Sequence, residues 1–286
     1  MGPEVWGRKV ARLPGRGVLL VSTDLHGNWK DYQTLKELYA AEEADGNDPI
    51  LAFCGDLVHG PNPEMNQPGC WPIYLGTPYK DRSAPLILDF ERWTREARVF
   101  SLMGNHEHAH VGGPVVPKFH PDEAAVLDEA LGPRARDIHR LFRSYPLLAV
   151  SPNGVVLTHA APRATEPDIR SFEGLRYEGY ERFSTWSISD QGTLGALLWA
   201  RMATERHARA LLSVLGFKEG GFVAFGHDVI REGYERFSES QICVSTSFGL
   251  RDRDKRYLRL DLARRYASAA ELREGVEILR LYPDPD

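Results

Sequence analysis

Cysteine is scarce in this 286-residue chain, which carries only Cys54, Cys70 and Cys243. So sparse and odd a count excludes a disulfide framework. Cys54 and Cys243 lie in apolar runs, where a buried free thiol is the expected state. No stretch has the apolar length of a membrane-crossing helix. The opening Met1 to Arg16 segment, with four basic residues, lacks the apolar core of a secretory leader. Excess charge is also missing: 35 Lys and Arg stand against 40 Asp and Glu, a formal net charge of -5. That balance offers no basic track for nucleic acid and no drive to disorder. The most basic stretch, Arg251 to Arg265, is interrupted by Asp252, Asp254 and Asp261 and is expected to be a solvated strand and turn. There is no repeat and no low-complexity linker. A cytoplasmic protein without membrane or nucleic-acid partners, one domain over 1–286, is the expectation.

What the chain does have is five short polar clusters: Asp24-Leu25-His26-Gly27-Asn28, Gly55-Asp56, Gly104-Asn105-His106-Glu107, Thr158-His159 and Gly226-His227. Each ends or follows an apolar run that reads as a buried strand: Val18 to Val21, Ile50 to Phe53, Val99 to Met103, Val155 to Leu157 and Phe222 to Phe225. Polar side chains at the carboxyl ends of successive buried strands mark a binding site in an α/β sheet.

The elements between them set the fold class. Helices are expected over Trp29 to Asp45, Pro85 to Ala97, Asp122 to Tyr145 with a break at Gly132-Pro133, and Gly195 to Leu215. Leu147 to Val150 and Val155 to Leu157 flank Ser151-Pro152-Asn153-Gly154 as a hairpin. Further strands are expected at Tyr234 to Phe237, Ile242 to Thr246, Tyr257 to Leu262 and Glu277 to Leu281. Pro61 to about position 82, with Trp71, Tyr74 and Tyr79, reads as a long loop insertion near the site. Ala160 to Gln191 shows no regular pattern. Alternating strands and helices followed by a strand-rich half imply two sheets packed face to face with helices outside, an α/β class.

Asp, His and Asn supply oxygen and imidazole donors without thiolate, a set suited to Mn, Fe, Zn or Co. Asp24 and His26 alternate along one strand end and can face the same way. Asp56 can bridge two ions, and Asn105, His159 and His227 can complete the second. Two ions a few Å apart clamp a phosphate for in-line attack, and His106 can protonate the leaving oxygen.

The clusters resemble the calcineurin-like metallophosphoesterases, and within them the phosphoprotein phosphatases that act on phosphoserine and phosphothreonine. The family runs G-D-x-H-G, G-D-x-V-D-R-G, G-N-H-E, H-G-G and G-H. Here the sequence reads Thr23-Asp24-Leu25-His26-Gly27, Gly55-Asp56-Leu57-Val58-His59-Gly60, Gly104-Asn105-His106-Glu107, His159-Ala160-Ala161 and Gly226-His227. Gly226 to Glu235 is similar to the family's G-H-x-x-x-x-x-G-Y stretch, so the likeness covers roughly 18–250. It implies a four-layer αββα fold, with Asp24, His26 and Asp56 on a first metal. Asp56, Asn105, His159 and His227 would hold the second. It also implies His106 as general acid, a pair of divalent ions (Mn, Fe or Zn), and direct attack by metal-bound hydroxide.

The second motif departs from the family, because Val58-His59-Gly60-Pro61 stands where V-D-R-G is usual. The missing Asp normally orients the catalytic histidine. His59 takes its place but cannot supply a fixed negative charge. The missing Arg normally grips the phosphate. Arg201, in a W-x-R segment like that of bacterial and phage members, is the candidate replacement, with Arg163 a weaker one. His108 and His110 are expected to be solvated loop histidines, the alternative being that either helps replace the lost charge or proton chemistry. A phosphorylated protein or small phosphoester is the expected partner, phosphoserine or phosphothreonine first. The alternatives are a phosphodiester or nucleotide hydrolase of the diadenosine-polyphosphate type, with the aromatic insertion stacking a base, and a non-catalytic phospho-binding module.

Overall fold

The computed structural model describes Gly2 and residues 4–283. Its regular elements are β1 (Val10–Arg12), β2 (Val18–Ser22), α1 (Trp29–Ala44), β3 (Ile50–Phe53), α2 (Ser83–Glu96), β4 (Val99–Ser101), α3 (Asn105–His108), α4 (Glu123–Leu131), α5 (Ala135–Arg143), β5 (Leu148–Val150), β6 (Val155–Thr158), α6 (Ile169–Glu173), α7 (Gly192–Trp199), α8 (Glu205–Val214), β7 (Phe222–Phe225), β8 (Tyr234–Ser238), β9 (Gln241–Val244), β10 (Arg256–Asp261) and β11 (Ile278–Arg280). They build two mixed sheets, ordered β11-β10-β2-β3-β4 and β1-β5-β6-β7-β9-β8.

The unbroken apolar runs follow from burial of both sheet faces. Along β2, Leu19 and Val21 face the inner core between the sheets, while Val18 and Leu20 face the helical layer. Along β3, Ile50 and Ala52 face inward and Leu51 and Phe53 outward. The second sheet answers with Ala149, Val155, Leu157, Phe222, Ala224, Ile242 and Val244 on its inner face. Outside, α1 presents Tyr32, Leu35 and Tyr39, and α2 presents Leu86, Phe90 and Trp93. Asn28 opens α1 by accepting a hydrogen bond from the Asp31 backbone N–H.

Register then builds the site. β2, β3 and β4 are parallel, with Val21 paired to Ala52 and Ala52 to Phe100. β6, β7 and β9 are parallel in the other sheet. All five polar clusters therefore emerge at one edge of the sandwich, a consequence of strand direction alone. Loops clasp across that edge: His26 N–H donates to Asp56 O at 2.9 Å, and Gly226 N–H to His159 O at 2.9 Å.

Some expectations need correction. Gly195 to Leu215 is two helices, because Thr204 caps a new start at the His207 N–H. The carbonyls of Leu197 and Ala200 are already taken by the Ala160 and Ala161 N–H groups. The basic lead contains β1, whose three residues pair with β5. The stretch from Arg251 is not solvated throughout: Lys255 is buried, with Nζ 2.8 Å from both Asp31 and Asp252 carboxylates. Ala160 to Gln191 holds only α6 and a single turn at Ile188–Asp190.

Candidate metal centre

The loops that carry the polar clusters are tightly bent. Six non-glycine residues among those described have a left-handed backbone, and five of them are Asp24, His26, Asp56, His59 and His227, with φ between 46° and 69°. Such conformations cost energy for residues with a Cβ and collect at functional sites. Gly104 explains why a glycine opens the third cluster, since a Cβ there would overlap Asp56 Oδ1 and Glu107 Oε2. Glu107 is buried beneath the site and accepts from the Asp56 and Leu57 N–H groups at 2.9 and 2.8 Å. It thereby fixes the Asp56 turn.

Two groups of donor atoms gather there. His26, Asp56 and His106 form one, and Asp56, His159 and His227 the other, each with its donor atoms within 4.8 Å of one another. Asp56 belongs to both. Its Oδ2 lies 3.6 Å from His26 Nε2 and 3.6 Å from His159 Nε2. Asn105 Oδ1 is 2.8 Å from His159 Nε2, and His227 Nδ1 is 3.1 Å from it. Asp24 accepts from the His227 N–H at 3.0 Å. All six residues expected to ligate metal, Asp24, His26, Asp56, Asn105, His159 and His227, are thus brought together.

The chemistry of this donor set fits cations. Burial raises the pKa of Asp24 and Asp56, and Asp24 is raised further by Asp56. Burial pushes His26, His159 and His227 down, so their imidazoles are neutral. Two crowded carboxylates beside neutral imidazoles are a donor set whose charge divalent ions would balance. Outer contacts orient the rings: His26 Nδ1 meets His59 O at 3.1 Å, and His159 Nδ1 meets Cys54 O at 2.7 Å.

His106 sits beside this centre, with Nε2 4.0 Å from Asp56 Oδ2. Behind it, His59 Nδ1 approaches His106 Nδ1 at 3.0 Å. The fixed negative charge that His59 cannot provide comes from Glu123, a residue absent from the sequence expectation. Glu123 Oε2 is 3.0 Å from His106 Nδ1 and 3.4 Å from His59 Nδ1. It is buried, yet the two histidines outweigh burial and hold its carboxyl well below the usual range. Burial lowers the His106 pKa while Glu123 raises it.

His108 and His110 are not solvated, contrary to expectation. His108 is fully buried with Nε2 2.7 Å from Tyr177 O. His110 is buried against Phe142, with Nε2 2.9 Å from His59 Nε2.

The sequence pattern of the calcineurin-like phosphoesterase family matches residues 17–236. The chain belongs to that family. No curated protein matches it. Among solved structures, it is similar to a Saccharomyces cerevisiae protein serine/threonine phosphatase that resembles human PP5. That likeness has 14% identity and TM-score 0.56, covering 89% of this chain and 77% of the other. A cold-active protein-tyrosine phosphatase from a Shewanella species is similar to the same degree, at 16% identity and TM-score 0.56, covering 88% and 77%. Identities this low establish the shared fold.

In this calcineurin-like phosphoesterase the donor groups open into a cleft of about 400 Å³. Lys118 enters it from the irregular connection before α4, a second residue that sequence reasoning missed. Lys118 is exposed, and its ammonium lies 3.3 Å from His26 Nε2 and 3.7 Å from the Phe248 ring centre. Arg201 lines the same cleft and pairs with Asp228 at 2.7 Å. Arg163 does not; it pairs with Asp190. Nor do the aromatics of the 61–82 insertion line it. Trp71 packs edge-on to Tyr79, and the Tyr79 hydroxyl donates to His26 O at 3.1 Å. The insertion braces the His26 loop instead. The aromatic residue exposed at the cleft is Trp186, 92% accessible.

Proposed function

We propose that this phosphoesterase hydrolyses phosphate monoesters, with phosphoserine or phosphothreonine in proteins as the first substrate class. The observation that carries the reading is one carboxylate, Asp56, common to two donor groups, His26 and His106 on one side and His159 and His227 on the other, at the floor of an open cleft. Asp24, His26 and Asp56 would hold one cation; Asp56, Asn105, His159 and His227 would hold the other. Manganese, iron and zinc all suit these donors. When bound, such a pair supplies the charge that clamps phosphoryl oxygens and a nucleophile at neutral pH.

The chain's own side chains would do the rest. Lys118 and Arg201 bring two cationic groups to a phosphate in the cleft, in place of the arginine that Gly60 displaces. His106 donates a proton from Nε2 to the departing oxygen, and Glu123 beneath it stabilises the imidazolium form. The open, shallow mouth admits a phosphorylated side chain on a polypeptide.

A second reading is hydrolysis of phosphodiesters or nucleotides. Trp186 supports it, since an exposed indole at the mouth can stack a base. Purified protein loaded with manganese, iron or zinc should be assayed on phosphopeptides, p-nitrophenyl phosphate, bis-p-nitrophenyl phosphate and diadenosine tetraphosphate. Fastest turnover on the monoesters supports the first reading, and fastest turnover on the last two the second. Tight phosphopeptide binding without turnover under any metal would leave a phospho-binding module.

A further inference from the structure

A row of side chains leads away from His106 into the helical layer. His59 Nδ1 is 3.0 Å from His106 Nδ1, His59 Nε2 is 2.9 Å from His110 Nε2, and His110 Nδ1 is 3.0 Å from Asp128 Oδ1. The three imidazoles are buried. Asp128 ends the row half-buried on α4, where His139 Nε2 also reaches Oδ1 at 2.8 Å.

Hydrogen-bond chemistry gives this row a direction. A neutral imidazole donates from one nitrogen and accepts at the other, and an ionised carboxylate only accepts. Asp128 therefore requires the proton of His110 on Nδ1. His110 Nε2 is then an acceptor, so His59 carries its proton on Nε2. His59 Nδ1 is left as an acceptor facing His106 Nδ1, which must hold a proton there. Glu123 favours the same placement from the other side, 3.0 Å from His106 Nδ1. The opposite order would set a lone pair of His110 against Asp128. It would also set a lone pair of His106 Nδ1 against Glu123 Oε2 at 3.0 Å, closer than the 3.4 Å at which the His59 Nδ1 lone pair faces that carboxylate in the first order. Burial opposes ionisation of Asp128, but the bonds from His110 and His139 hold its carboxyl below the ordinary range.

We propose that Asp128 and His110 are positioning residues that fix, through His59, the tautomer of His106, so that Nδ1 stays protonated and only Nε2 exchanges protons at the cleft. The inference rests on the reading of His106 as proton donor. In that step the P–O bond to the leaving group breaks, its oxygen takes the Nε2 proton, and water contributes the oxygen newly bound to phosphorus. His106 is left neutral with its proton on Nδ1 and recovers the other from solvent.

The test compares metal-loaded wild type, Asp128→Asn, Asp128→Glu, His110→Phe and His106→Gln on phenyl phosphate, a poor leaving group, and p-nitrophenyl phosphate, a good one. An amide can offer either face, so Asp128→Asn no longer imposes a direction. It should lower kcat on phenyl phosphate about ten- to a hundredfold, by analogy with misplaced tautomers in other acid–base dyads, and change KM and the p-nitrophenyl rate less than about threefold. Asp128→Glu should recover most of the loss, and His110→Phe should repeat it. In zinc-loaded, ¹⁵N-histidine-labelled protein, the His106 Nδ1–H signal should give way to a tautomer mixture in Asp128→Asn, independently of turnover. Equal effects on both esters, or none, with a selective loss in His106→Gln would overturn the positioning role alone. No selective loss in His106→Gln would overturn it together with the reading of His106.

Discussion

Replacing Glu123 with Gln isolates the charge that stands in for the absent aspartate of the second motif. Glu123 Oε1 accepts from the Phe119 N–H at 2.6 Å, and Oε2 faces His106 Nδ1 at 3.0 Å. A glutamine must keep its amide oxygen on Phe119, which turns its NH2 toward His106 Nδ1. A donor then faces a donor, and the imidazole is driven to the other tautomer. The lost attraction between carboxylate and imidazolium at this separation is about 5 kcal/mol at an effective dielectric of about 20. Relaxation reduces that figure, and a buried pair broken on one side costs about 3–5 kcal/mol. About 4 kcal/mol of transition-state stabilisation corresponds to a kcat on phenyl phosphate lower by about 10³-fold. The rate on p-nitrophenyl phosphate should fall much less, because that leaving group needs little proton assistance. Metal content should be unchanged, while the melting temperature should fall, because the folded state also loses part of the buried pair. The assay is steady-state kinetics on both esters with elemental analysis of the same preparations. A kcat on phenyl phosphate within about threefold of wild type, with metal content intact, would refute the reasoning.

Lys118→Met should raise KM for a dianionic monoester about tenfold or more, as expected for loss of a charged hydrogen bond, while kcat changes less. Arg201→Ala should have a smaller effect, because its guanidinium is already shared with Asp228; titration of initial rates against substrate checks both. Gly104→Ala puts a methyl group into Asp56 and Glu107, so stability should fall by about 1–3 kcal/mol and metal affinity with it, read by urea unfolding and equilibrium dialysis. Burial pushes His108 down to about 4. Its folded pKa is therefore below the unfolded value of about 6.5, so the unfolded chain binds the extra proton first. The stabilising effect of keeping it neutral is complete above the unfolded value and is lost as pH falls toward 4. Between pH 7 and 5 the loss from this residue is about 2 kcal/mol. His108→Gln should remove that share of the slope when the two unfolding curves are compared, and an unchanged slope would refute it.

The donor set was legible because each member ends a strand buried on both faces, and such strands write continuous apolar runs. Asp56 follows Ile50–Phe53 after Cys54 and Gly55, and His227 follows Phe222–Phe225 after Gly226. Parallel register does the rest, and sequence order plus strand direction foretell that the clusters meet. Glu123 left no such trace. It occupies the first turn of α4 next to the capping Asp122, where acids are ordinary helix starters. Lys118 lies in an irregular connection with no period to fix which way it points. His108 and His110 looked like loop histidines because short polar segments read as solvated. His110 is buried by Phe142 of α5 and bonded by Asp128 of α4, and His108 is covered by Tyr177 and Tyr180, tertiary facts that no local pattern carries. The break between α7 and α8 was hidden for a related reason. Apolar spacing continues across it, and it is the loop after His159 that takes the Leu197 and Ala200 carbonyls.

The central claim is that two cations share Asp56. It is tested most directly by anomalous diffraction from manganese-loaded crystals, with metal stoichiometry measured in parallel on wild type and Asp56→Asn. The account predicts two ions per chain, both in contact with Asp56, and a variant that has lost its hold on both. A single ion, a pair that leaves Asp56 untouched, or a variant that retains two ions would contradict it.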